Sequence, residues 1–122
     1  MTELVRIAGI EAEGRHGASA GERDSPQPFV VDLEVAVEPT GDSIEHTGDY
    51  RLLVATVRRV IEEESHTLIE TLAGRVADAA VGVSGVVSCR AVVHKPEAAS
   101  RLGVADISAE AMAGPPLPQG AA

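Results

Sequence analysis

Four residues of this sequence are placed for acid–base or binding chemistry: Glu22, Tyr50, Glu70 and Lys95. Glu70 drops one carboxylate into Leu68-Ile69-Glu70-Thr71-Leu72-Ala73, the largely apolar start of a helix. A carboxylate there can accept two parallel hydrogen bonds from a guanidine-like ring edge, as it does from arginine. The ordinary alternative is the third position of a capping box opened by Thr67, where it would satisfy a free backbone N–H. Lys95 precedes the proline in Val92-Val93-His94-Lys95-Pro96, and counting by twos puts it on the face of Val87, Cys89, Ala91 and Val93. An ammonium on that apolar side is an acid–base group or a Schiff-base nucleophile, unless it snorkels to solvent. Glu22 follows Gly14-Arg15-His16-Gly17 in the polar loop Ala20-Gly21-Glu22-Arg23-Asp24, and alone it reads as a solvated carboxylate. Tyr50 follows Thr47-Gly48-Asp49 and offers a phenol that can relay a proton where water is scarce, or a helix-start residue that only packs.

Other metal- or thiol-based chemistries find less support. His16, His46, His66 and His94 form no His-x-His or His-x-x-x-His pair, and Cys89 has no second thiol, so no metal site is expected. Cys89 reads as a small buried side chain.

The elements that must position these residues follow from the hydrophobic pattern. Leu4 to Glu13 reads as a strand ending at Gly14. Phe29, Val31, Leu33, Val35 and Val37 alternate with Val30, Asp32, Glu34, Ala36 and Glu38, the period of a strand with one buried face. Beyond a loop from Pro39 to Asp49, Leu53, Val57, Val60, Ile61 and Glu64 recur at helical spacing behind an Asp49 N-cap. A second helix is expected from the Thr67 capping box, with Leu68, Leu72, Val76 and Ala80 beside Ile69, Ala73 and Ala77 on its apolar face. Val86 to Lys95 and, more weakly, Gly103 to Met112 read as strands. The order β-β-α-α-β-β predicts an α+β domain over residues 1–112, with a four-stranded antiparallel sheet and two helices on one face. Residues 113–122, with three prolines and no periodicity, are expected to be a disordered tail.

Composition bounds the function. With 122 residues the chain is one domain, and 10 Lys plus Arg against 19 Asp plus Glu give a net charge of −9, which disfavours binding to a phosphate backbone. No nucleic-acid partner is expected. No apolar run is long enough to span a bilayer, no positively charged start leads into an apolar segment, and one cysteine makes no internal disulfide, so a cytoplasmic protein is expected. Phe29 and Tyr50 are the only large aromatics, leaving an aliphatic core that is thin for a lone domain and favours an oligomer.

Taken in order, Gly-x-x-Gly, Glu22, Thr47-x-x-Tyr50, Leu68-Ile69-Glu70 and Lys95-Pro96 resemble the dihydroneopterin aldolase family of folate biosynthesis, over about Gly14 to Ala98. The resemblance implies the tunnelling fold, whose subunits close their sheets edge to edge into rings, commonly two tetrameric rings stacked as an octamer. It implies a lyase that cleaves 7,8-dihydroneopterin by a retro-aldol reaction, with no metal, no cofactor and no Schiff base. Lys95, Tyr50 and Glu22 would then be catalytic, with Tyr50 supplied by a neighbouring subunit. Glu70, Ile69, Thr47, Gly48 and again Glu22 would bind the pterin substrate. The sequence departs from the family pattern at Ala18, where a valine is common, at His46, often acidic, and at Gly48, usually β-branched; these changes loosen the implied pocket. Within the same family a 2′-epimerase uses the same intermediate, and a non-catalytic pterin- or purine-binding module would keep the Glu70 anchor without turnover.

Overall fold

Alternation of β-branched and acidic residues builds the centre of the molecule. The computed structural model describes residues 3–38 and 49–117. Strands β1 (Glu3–Gly14), β2 (Gln27–Val37), β3 (Val86–His94) and β4 (Ser108–Ala113) form one antiparallel sheet in the order β1-β2-β3-β4. Phe29, Val31, Leu33, Val35 and Val37 all turn inward and are at most 3% exposed, as the period of two requires.

Helices α1 (Tyr50–Glu63) and α2 (Ile69–Val81) cover that inner face, α1 against β1 and α2 against β3 and β4. Leu53, Val57, Val60 and Ile61 of α1 meet Leu72, Ala73, Val76, Ala77 and Ala80 of α2 over the sheet. The alanine-rich face of α2 lets it lie close to the strands, which suits a core with one phenylalanine. Asp49 caps α1 as expected, its carboxylate accepting the Arg51 N–H at 2.9 Å.

The structure corrects several expectations. The N-cap of α2 is Leu68, with no side-chain cap bond, so Thr67 and Glu70 form no capping box; Leu68 is 46% exposed rather than packed. Glu64 closes α1 and stands outside its apolar face. Val87 is displaced from the inward row of Cys89, Ala91 and Val93, because the β2–β3 register shifts between Ala36 and Val37. A third helix, α3 (Pro96–Leu102), follows β3, so β4 starts at Ser108 and not at Gly103. Pro96 at its first position and Gly103 at φ 69° beyond its end are the local signals for it. β4 runs through Ala113, one residue beyond the expected domain edge. β1 carries a bulge: Ala8 and Gly9 face Asp32 alone, and Gly9, at φ 77°, donates its N–H to Asp32 Oδ1 at 2.8 Å.

Candidate active site

The segment between β1 and β2 is built around two close approaches that only glycine permits. A Cβ on Gly14 would strike the Ile61 carbonyl and the His16 ring; one on Gly17 would strike the Glu22 carboxylate. Glu22 therefore lies folded against the Gly17 backbone, at the start of a 3-10 turn, Glu22–Asp24. The loop carboxylate is thus far from solvated: its side chain is 11% exposed.

Lys95 comes to meet it from the end of β3. The two side chains, 12% and 11% exposed, pair at 2.5 Å between Nζ and Glu22 Oε2. Lys95 is fixed by its own backbone, whose N–H donates to Ile107 O at 2.9 Å and whose carbonyl accepts the Ala99 N–H of α3. Gln27 Nε2 adds a bond to Glu22 Oε2 at 3.0 Å, and the Ser19 N–H donates to Oε1 at 3.2 Å. Burial opposes the charge of Glu22, but the bonds from Lys95, Gln27 and Ser19 outweigh it and hold the carboxyl at about 2. The result is an ionised carboxylate bound to an ammonium in a sheltered corner, able to hold or move a proton on a ligand hydroxyl.

A cavity of about 220 Å³ opens beside the pair, lined by Glu22, Gln27, Glu97 and Arg101 among others. Gln27 Oε1 is buried with no partner among the described residues, which leaves one acceptor free next to Glu22. Gln27 escapes the motif-based reading, yet it has a signal: it sits two residues before Phe29, a polar residue on the core face of β2.

His16, between the two glycines, is the other residue the motifs pass over. It is fully buried; its Nε2–H donates to Ile61 O at 2.8 Å, and its Nδ1 accepts the His66 N–H at 3.0 Å. Burial lowers its pKa, the Ile61 bond only partly opposing. Its ring meets Phe29 edge-on at 5.2 Å and stacks on His66 at 5.7 Å.

The remaining expected site residues lie apart from this corner. Glu70 is exposed in the first turn of α2, and Ile69 before it is half-buried against the core. Tyr50, the first residue of α1, is 58% exposed. Thr47 and Gly48, with His46, lie outside the described residues. Within one chain, then, the structure joins Glu22 to Lys95 and leaves Tyr50 and Glu70 open to solvent. Cys89 is buried, and burial pushes its thiol up to about 12, so it is inert at neutral pH. Among the described residues no three His, Cys, Asp or Glu side chains converge as a metal site. His66 pairs with Glu64 at 2.7 Å, and His94 bridges Asp32 at 2.8 Å and Asp106 at 3.0 Å.

Comparison with known proteins finds one family along most of the chain. The FolB dihydroneopterin aldolase family matches residues 5–111. Dihydroneopterin aldolase of Streptomyces coelicolor is 33% identical over 100 residues, covering 79% of this chain and 84% of that one. The Bacillus subtilis enzyme is 35% identical over 100 residues, covering 78% and 83%. The crystal structure of Escherichia coli dihydroneopterin aldolase in complex with neopterin superposes with a TM-score of 0.81 at 22% identity, covering 92% of this chain and 99% of that one. That likeness is one of fold, the tunnelling fold. With the family matched over nearly the whole chain and relatives about a third identical across more than three quarters of it, this protein belongs to the dihydroneopterin aldolase family.

Proposed function

We propose that this protein is a dihydroneopterin aldolase, a lyase that converts 7,8-dihydroneopterin into 6-hydroxymethyl-7,8-dihydropterin and glycolaldehyde in folate biosynthesis. The observation that carries the reading is the Glu22–Lys95 pair, nearly buried and drawn from two elements far apart in sequence. Family membership supplies the reaction that such a pair would serve.

In this reading Lys95 assists removal of the proton from the substrate's 2′-hydroxyl through a bound water, while Glu22 and the free Gln27 acceptor orient the hydroxylated side chain. The bond between C1′ and C2′ breaks, its electron pair passes into the dihydropterin ring at N5, and glycolaldehyde leaves. The ring's own imine is the electron sink, so the step calls for neither a metal nor a protein imine. Glu70 accepts two hydrogen bonds from the amino group and ring N–H of the pterin, with Ile69, Thr47 and Gly48 at the pocket wall. Tyr50 of a neighbouring subunit returns a proton to C1′. The exposure of Tyr50 and Glu70 in one chain supports a site completed by a second copy. The working form is a ring oligomer, an octamer of two tetrameric rings, acting in the cytoplasm; its domain runs through Ala113 at the end of β4.

Incubation with 7,8-dihydroneopterin, followed by chromatography of products with and without a chelator, tests this. Equal amounts of glycolaldehyde and 6-hydroxymethyl-7,8-dihydropterin, insensitive to the chelator, are expected. Formation of the 2′ epimer alone would make the protein an epimerase, and no product at all would make it a binding module.

A further inference from the structure

The turn between α1 and α2 is tied to the Gly14–Gly17 segment by three hydrogen bonds. Ser65 Oγ donates to Arg15 O at 2.8 Å, the His66 N–H donates to His16 Nδ1 at 3.0 Å, and the Gly17 N–H donates to His66 O at 3.0 Å. Helix α2 begins three residues after His66, and Glu70 is its second residue. On the opposite side, His16 O accepts Gln27 Nε2 at 3.1 Å, and the same amide group holds Glu22 Oε2 at 3.0 Å. His16 therefore touches, by its ring, the segment that leads to Glu70 and, by its backbone, the group that fixes Glu22.

We propose that His16 is a positioning residue of the site: its Nδ1, by accepting the His66 N–H, sets Glu70 at the correct separation from the Glu22–Lys95 pair. The inference rests on the proposed function, which makes Glu70 the pterin anchor. The geometry requires one tautomer, with the proton on Nε2 facing Ile61 O and a free lone pair on Nδ1. Both ring nitrogens are used and the ring is inaccessible, so no water can replace either bond. The His66 ring stacks on His16 and is itself tied to Glu64, which Arg75 of α2 grips through two bonds at 2.9 and 3.1 Å. The same junction thus also reaches the body of α2.

Three variants separate positioning from mere packing. In His16→Asn the side-chain oxygen overlays Nδ1 and keeps an acceptor for the His66 N–H. In His16→Gln the terminal amide overlays Nε2, keeps the donor to Ile61 O and leaves the His66 N–H unpaired. His16→Phe keeps only volume. Affinity for neopterin, read by fluorescence titration, should fall by roughly tenfold or more in the Gln and Phe variants and by a factor of about three at most in the Asn variant. In turnover of 7,8-dihydroneopterin the loss should appear in KM more than in kcat. Affinities that follow the order of melting temperature, regardless of which variant keeps the acceptor, would overturn the proposal. So would a parent protein whose ¹⁵N spectrum puts the His16 proton on Nδ1, a measurement that needs no variant to fold. A parent that binds no neopterin would overturn the functional reading and this inference together. A parent that binds while His16→Gln binds equally well would overturn the inference alone.

Discussion

Gly17 and Glu22 fit each other by shape before any chemistry is considered. The carboxylate occupies the space a Cβ would take, so Gly17→Ala must push Glu22 off the Gly17 backbone and away from Lys95. The expected cost is about 1 to 3 kcal/mol in stability from overpacking. A larger effect is expected on turnover, on the order of 10²-fold in kcat/KM, because a catalytic group displaced by about 1 Å loses that much. Steady-state kinetics beside thermal unfolding separate the two; a variant that melts earlier but turns over normally would place Glu22 outside the chemistry. Lys95→Ala and Glu70→Ala should divide the proposed roles. Removing Lys95 is expected to lower kcat by about 10²- to 10⁴-fold with neopterin binding kept, since proton transfer is the step it serves. Removing Glu70 should instead weaken binding, by about 1.5 to 3 kcal/mol for a charged hydrogen-bond partner. If Glu70→Ala leaves the affinity unchanged, the anchor lies elsewhere.

Two histidines tie elements together with opposite pH signs. His94 on β3 joins Asp32 on β2 to Asp106 in the approach to β4. Partial burial works against its proton, but hydrogen bonds and charge from the two aspartates outweigh it and raise its pKa. A raised folded value means that its contribution is complete below the ordinary imidazole value of about 6.5 and fades as pH rises through the folded value. His16, whose value burial depresses, contributes fully above about 6.5 and less as pH falls. Denaturant unfolding of His94→Asn should therefore differ from the parent most below pH 6.5 and least toward pH 8, and a constant difference across that range would remove the ion pairs from the explanation. Partial exposure of His94 and of both its aspartate partners keeps the effect modest. The same elements show what a sequence can and cannot disclose. β2 is legible through Val35, since burial on one face and partial exposure on the other leave a period of two; at its end Ala36, expected on the outer face, is buried as well. The start of α2 is misjudged because Thr67 and Glu70 carry a capping-box spacing, while the turn is fixed by tertiary bonds from residues 15–17, which local sequence does not encode. Helix α3 is too short for a periodic signal and shows only in its proline and glycine ends. In the site, the Glu22–Lys95 pair was within reach of motif order, whereas the bridging of His16 to His66 depends on a contact across fifty residues of chain.

At the scale of the whole molecule, the sheet order leaves β1 and β4 as edges with a backbone ladder on one side only, and Met112 on β4 is 62% exposed. Open edges of this kind invite further strand pairing, and closure of several sheets into a ring removes them while burying apolar surface that the small core of one chain leaves outside. In the proposed ring, Tyr50, 58% exposed at the head of α1, would serve a site on the adjoining subunit rather than its own. Light scattering should give the mass of an octamer, and a monomer would remove the shared site along with the ring. The stricter test mixes subunits. Tyr50→Phe and Lys95→Ala proteins, each slow in releasing glycolaldehyde, are dissociated, combined and reassembled. If Tyr50 acts across an interface, a fraction of the sites in the mixed rings unites an intact tyrosine from one parent with an intact Glu22–Lys95 pair from the other, and activity returns. Verified mixed oligomers without regained activity would place Tyr50 and Lys95 in the same chain's site.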